Sequence, residues 1–128
     1  PQVLRDNYDV FVRVNPLEVS KIYSMTDVIV SRAGANTVSE IMLIGLPSIL
    51  IPLPISYLDE QTQNAKIAEK WGIATIVPQE KLTPEKLMNT IDKTISNIDV
   101  ITSRVKNKKS PDYDASARLV KVIDEYMK

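Results

Sequence analysis

Ser31-Arg32-Ala33-Gly34-Ala35-Asn36-Thr37-Val38-Ser39-Glu40 is the stretch that decides how this chain is read. It follows the apolar run Val28-Ile29-Val30 and precedes Ile41-Met42-Leu43-Ile44. That is the layout of a strand, a tight turn and a helix with a polar first turn. The first N–H groups of a helix have no partner inside it and suit an anion. Thr37, Ser39 and Glu40 add hydroxyls and a carboxylate able to grip sugar hydroxyls. On this reading the chain holds a nucleotide-sugar. The same residues allow a blander account. Thr37-Val38-Ser39-Glu40 matches the T-x-x-E capping box, in which Thr37 caps the helix and Glu40 reaches back to its backbone. Gly34 would then serve only a turn that needs positive φ or a close helix–strand contact. The stretch lacks the G-K-[ST] of a Walker loop, and Gly34 alone does not make a dinucleotide fingerprint.

Working outward, Asp9–Val14 is rich in β-branched and aromatic residues and reads as a strand. Pro16 opens a helix to about Met25. Val28–Ser31 is a second strand, followed by a helix over about Asn36–Ile44 that stops at Gly45. Pro47–Leu53 is a third strand, apolar on both faces, as in a sheet covered on both sides. Asp59 is placed to cap a helix from about Glu60 to Trp71, ended by Gly72. Ala74–Val77 is a fourth strand. Thr83-Pro84-Glu85 starts a helix to about Asn97, with a cap, a proline at the first position and an acid in the first turn. A short helix over Val100–Lys106, a polar break at Asn107–Asp112 and a last helix over Asp114–Tyr126 complete the chain. Leu119, Val120, Ile123 and Met127 fall near one face of that last helix.

This alternation predicts an α/β fold: one domain over residues 1–128, Rossmann-like, with a mostly parallel sheet of about four strands and flanking helices. Ligands on such sheets sit at the carboxyl ends of the strands. The loops after Val30 and after Leu53 both lie there. The second carries Asp59-Glu60-Gln61-Thr62-Gln63-Asn64-Ala65, either an ordinary solvated first turn or a site where the Gln61 amide donates to and accepts from a sugar.

Composition narrows the chemistry. The 128 residues suffice for one domain with a core, and 44% hydrophobic with 25% charged residues argues against disorder. Lysine plus arginine and aspartate plus glutamate are 16 each, so bulk charge points to no nucleic-acid partner. Cysteine and histidine are absent, which removes thiolate chemistry, the commonest general base and the commonest metal ligand. No run is long and apolar enough to span a membrane, since Gly45, Ser48 and three prolines interrupt residues 41–58. No signal peptide is visible. A first residue of proline suggests a processed chain or a fragment.

Together the two motifs resemble a known family. DVIVSRAGANTVSEIMLIGLPSILIPLP, followed by DEQTQNAKIAEKWGIATIVPQEKLTPEKL, is similar to the carboxy-terminal half of the MurG family, the peptidoglycan transferases of glycosyltransferase family 28 that add N-acetylglucosamine to lipid I. The similarity covers about residues 9–95. It implies the second, donor-binding domain of a two-domain GT-B enzyme. Gly34, Ala35, Asn36, Thr37, Val38, Ser39 and Glu40 would line the UDP-GlcNAc site, with Glu40 on the ribose and Thr37 and Ser39 near the diphosphate. Gln61 would contact the GlcNAc ring, and backbone near Val14–Pro16 the uracil. The resemblance implies no cofactor and no protein-bound metal. Glu60 departs from the histidine frequent at that position.

The amino-terminal acceptor domain that takes lipid I, with its catalytic histidine, has no counterpart in this sequence. Nor do the first two strands of the donor domain. In the sheet order 3-2-1-4-5-6, Asp9–Val14 therefore lacks its usual neighbours. It is expected to pair beside Val28–Ser31, or to be left at a disordered or swapped edge. The chain alone is expected to be catalytically inactive, and the whole enzyme to work peripherally at the inner face of the bacterial plasma membrane. Two other functions stay open: the donor subunit of a split transferase for another polyprenol-linked sugar, and a non-catalytic nucleotide-sugar-binding or docking module.

Overall fold

A computed structural model describes residues 8–55 and 57–127. Asn15 Oδ1 accepts the Leu17 N–H at 3.1 Å and starts a 3-10 turn, Pro16–Glu18, that runs into α1 (Val19–Ser24). The elements that follow are β1 (Ile29–Ser31), α2 (Ala35–Ile44), β2 (Ser48–Leu50), α3 (Glu60–Trp71), β3 (Ala74–Ile76), α4 (Pro84–Ser96), α5 (Ile98–Val105) and α6 (Ala115–Tyr126). Local chemistry sets several of the helix ends. Gly45 takes a left-handed φ of 72° at the end of α2, where its N–H and that of Leu46 both reach the Ile41 carbonyl. Thr83 Oγ1 accepts the Lys86 N–H at 3.1 Å and caps α4 ahead of Pro84.

The three strands are parallel in the order β1-β2-β3, with Ile29, Ser48 and Ala74 in register. Because side chains alternate along a strand, this register sorts them into two layers. Ile29, Leu50, Ala74 and Ile76 face α2 and α3, where they pack with Val38, Ile41, Met42, Ala65 and Ala68. Ile49, Ile51, Val77 and Val28 face the other way, onto Leu87 and Ile91 of α4 and onto Leu82. Every residue of β2 is buried. Its Ser48 hydroxyl donates to the Leu46 carbonyl at 2.7 Å, which satisfies the one side-chain polar group in that strand.

The sheet has three strands among the described residues, not four. Asp9–Val14 forms no strand, and Val10 and Phe11 are 76% and 67% exposed. The reason lies in what a strand needs: a ladder partner and an apolar surface to pack on. The edge beyond β1 offers little of the latter, since Val30 on that strand is itself 41% exposed. Asp59 also departs from the expected cap, for it sits at a left-handed φ of 57° and makes no capping hydrogen bond.

Among the described residues, the hydrogen bonds that tie down α6 lie at its start. Asp112 N–H donates to the buried Ser110 hydroxyl at 3.3 Å, and Arg118 bonds Asp114 Oδ1 at 2.7 Å and the Pro111 carbonyl at 2.9 Å. Leu119, Val120, Ile123 and Met127 remain exposed. Leu50→Ala is therefore expected to lower unfolding free energy by about 2–5 kcal/mol, whereas Leu119→Ala changes it by about 0.5 kcal/mol or less, read from urea denaturation midpoints.

Candidate functional site

The two sequence motifs meet at the carboxyl edge of the sheet. Arg32, just past β1, holds that edge together. Its Nη1 donates to the Ile51 carbonyl at 3.2 Å and to Gln79 Oε1 at 2.6 Å, which links the loops that follow all three strands. From α3, Asn64 Nδ2 donates to the Ala33 carbonyl at 3.2 Å. Both contacts fix the turn that leads into α2. Neither was assigned a role from sequence. Their partners lie 19, 47 and 31 residues away, beyond any local pattern.

The start of α2 separates the two accounts of the first motif. The cap position is Gly34, not Thr37, so Thr37 is the third residue of the helix. Val38, Ile41 and Met42 share the buried face of this helix. The capping box is thus out of register, and Glu40 bonds elsewhere. Helical bonding begins with Val38 N–H to the Gly34 carbonyl at 3.0 Å. The amides of Ala35, Asn36 and Thr37 point out of the helix, and no side chain among the described residues caps them. Gly34 is not there for its backbone either. Its φ is −65°, open to any residue, and a Cβ added to it would meet nothing within 4 Å. A glycine there keeps the space over the helix mouth empty.

The remaining candidates radiate from that mouth. Ala35, Asn36 and Thr37 form its rim, while the Val38 side chain is committed to the core. Ser39 turns toward α6 and donates to Asp112 Oδ2 at 2.6 Å. Glu40 is exposed on the opposite flank, where its Oε2 accepts the Tyr23 hydroxyl of α1 at 2.8 Å. Burial, and then the bond to the Glu40 carboxylate and its charge, raise the Tyr23 phenol above its ordinary 10.0, so it stays a donor across the neutral range. Gln61 occupies the first turn of α3, with its Oε1 accepting the Leu53 N–H at 3.0 Å. Leu58 and Asp59, consecutive residues with φ of 50° and 57°, make the tight bend that delivers it there. Left-handed conformations of non-glycine residues cost roughly 1 kcal/mol or more each and gather at ligand-binding loops.

A cleft of about 520 Å³, lined by Tyr23, Asp27, Ile44, Leu46, Ile98 and Thr102 among others, opens at the amino ends of the strands, away from these loops. No group of three or more acidic side chains able to hold a metal ion occurs among the described residues. No helix among them is long and apolar enough to cross a membrane.

Residues 8–119 match the model of the glycosyltransferase family 28 C-terminal domain. Curated relatives carry the name UDP-N-acetylglucosamine–N-acetylmuramyl-(pentapeptide) pyrophosphoryl-undecaprenol N-acetylglucosamine transferase. The one from Bacillus subtilis (strain 168) is 37% identical over 105 residues, 80% of this chain and 28% of its own length. The one from Aquifex aeolicus (strain VF5) is 36% identical over 96 residues, 73% of this chain and 28% of its own length. The crystal structure of Acinetobacter baumannii MurG superposes with a TM-score of 0.70 at 34% identity, covering 84% of this chain and 31% of that one. The chain thus spans under a third of the length of these relatives.

An open helix mouth gives a test by stability. Gly34→Asp supplies the missing cap and a charge suited to the dipole, and is expected to raise unfolding free energy by about 0.3–1 kcal/mol in urea titrations.

Proposed function

The chain belongs to the family of glycosyltransferase family 28 C-terminal domains, and from that premise we propose that it is the donor-binding part of a transferase that moves N-acetylglucosamine from UDP-GlcNAc to lipid I, making lipid II for peptidoglycan. The uncapped start of α2 beneath an empty Gly34 position carries this reading. A helix N-terminus presents about half a positive charge and several amides, which matches a diphosphate. As the bond to the sugar breaks, negative charge grows on the departing UDP. Amides already aimed at it stabilise that charge without rearranging.

The flanking residues divide the rest of the donor. Glu40, exposed one turn below the mouth, accepts from the ribose hydroxyls. Gln61, on the adjoining loop, meets the GlcNAc ring as a neutral amide suited to a neutral sugar. Ser39 reaches the diphosphate side only by giving up Asp112. The sequence has no histidine, so general-base work on the acceptor hydroxyl falls to the part of the relatives that this chain does not span. Lipid I is taken by that part, and the transfer belongs at the cytoplasmic face of the bacterial plasma membrane, where its polyprenol acceptor is embedded. The chain by itself binds donor and does not transfer sugar.

Titration calorimetry with UDP-GlcNAc tests this. Saturable binding is expected, weakened about tenfold or more in Glu40→Ala, the loss of bonds to a charged group. Gly34→Asp is expected to abolish binding by filling and charging the mouth while the fold gains stability. Absence of binding by the unaltered chain, or undiminished binding in Gly34→Asp, would contradict the proposal. Transfer to lipid I restored by adding an amino-terminal acceptor domain would separate an enzyme half from a binding module.

A further inference from the structure

Tyr23 lies on α1, outside both sequence motifs, yet its hydroxyl ends 2.8 Å from Glu40 Oε2. Tyr23 is half-buried, whereas the carboxylate it meets belongs to an exposed residue. An exposed glutamate on a helix surface samples several rotamers, and ordering it on binding is unfavourable. One bond from a half-buried tyrosine removes part of that freedom. An ionised carboxylate has about four lone-pair sites, and the Tyr23 hydroxyl uses one. Oε1 is left to face a ligand.

We propose that Tyr23 is a positioning residue for donor binding: its hydroxyl fixes the Glu40 carboxylate with one oxygen turned to the ribose diol. This rests on the donor-site reading above and adds to it a residue that never touches the ligand. The arrangement has a definite donor sense. The phenol gives its proton to Oε2, and the ribose hydroxyls give theirs to the remaining lone pairs, so the two do not compete. The phenol is raised above its ordinary value by burial and by Glu40, so this sense holds at neutral pH. Deprotonation would place two negative groups together. Folded-state stability from the contact is therefore present below the ordinary tyrosine range and declines as pH rises through it.

Tyr23→Phe removes the hydroxyl and keeps the ring. With the full chain and UDP as probe, affinity is expected to fall roughly threefold to tenfold, the effect of one side chain no longer ordered in advance. Ligand-observed NMR, which reads millimolar affinities, then compares UDP with 2′,3′-dideoxyuridine diphosphate. The loss is expected to vanish with the dideoxy ligand, which has no hydroxyl for Glu40 to hold. Unchanged or tighter UDP binding in Tyr23→Phe overturns the positioning role and leaves the donor site standing. An equal loss toward both ligands also overturns it, as that is the mark of a loosened α1–α2 contact. Failure of the unaltered chain to bind UDP overturns the donor reading, and this proposal with it.

Discussion

β2, the buried strand Ser48–Leu50, is the constraint on which the rest of this molecule depends. It is hydrogen-bonded to a parallel neighbour on each side, and its alternating side chains seed both hydrophobic layers. A one-residue slip would send Leu50 toward α4 and Ile49 toward α2 and α3, and would mismatch both layers at once. The same register fixes where the three strands stop. Their carboxyl ends come level, so the loops carrying Arg32, Ile51 and Gln79 fall within reach of a single guanidinium. The site is thus a consequence of strand register, finished by one long side chain.

That order of dependence explains the shape of the candidate site. Its most informative feature is an omission: no side chain among the described residues caps the first amides of α2. A protein selected only for a stable helix would place serine, threonine, asparagine or aspartate at position 34. Glycine costs a few tenths of a kcal/mol there and leaves the mouth clear. The bonds made by Ser39 to Asp112 and by Glu40 to Tyr23 then brace α2 from either flank, which steadies the mouth without covering it.

What the sequence made legible was local. The β/α alternation, the left-handed stops at Gly45 and Gly72, and the Thr83-Pro84 start each follow from a few adjacent residues. The family's motifs were equally plain, because they are contiguous. What stayed hidden depends on partners distant in the chain. The T-x-x-E pattern fits a capping box as a string, but the helix starts three residues earlier, after Gly34, which puts Thr37 and Glu40 out of register for one. Asp9–Val14 has the composition of a strand, but composition supplies neither a ladder partner nor a covered face. Tyr23 reads from sequence only as one apolar position of the helix after Pro16, and Arg32 only as part of the turn after β1, until the fold sets them against Glu40, Ile51 and Gln79.

The claim at the centre of this account is that the bare start of α2 receives a diphosphate. The most direct measurement is an amide ¹H–¹⁵N NMR titration of the full chain with UDP. Saturable shifts are expected, largest at Ala35, Asn36 and Thr37, with smaller ones at Glu40 and Gln61. Shifts centred instead on the cleft around Ser24, Asp27, Ile98 and Thr102, or none in the first turn of α2, would contradict it.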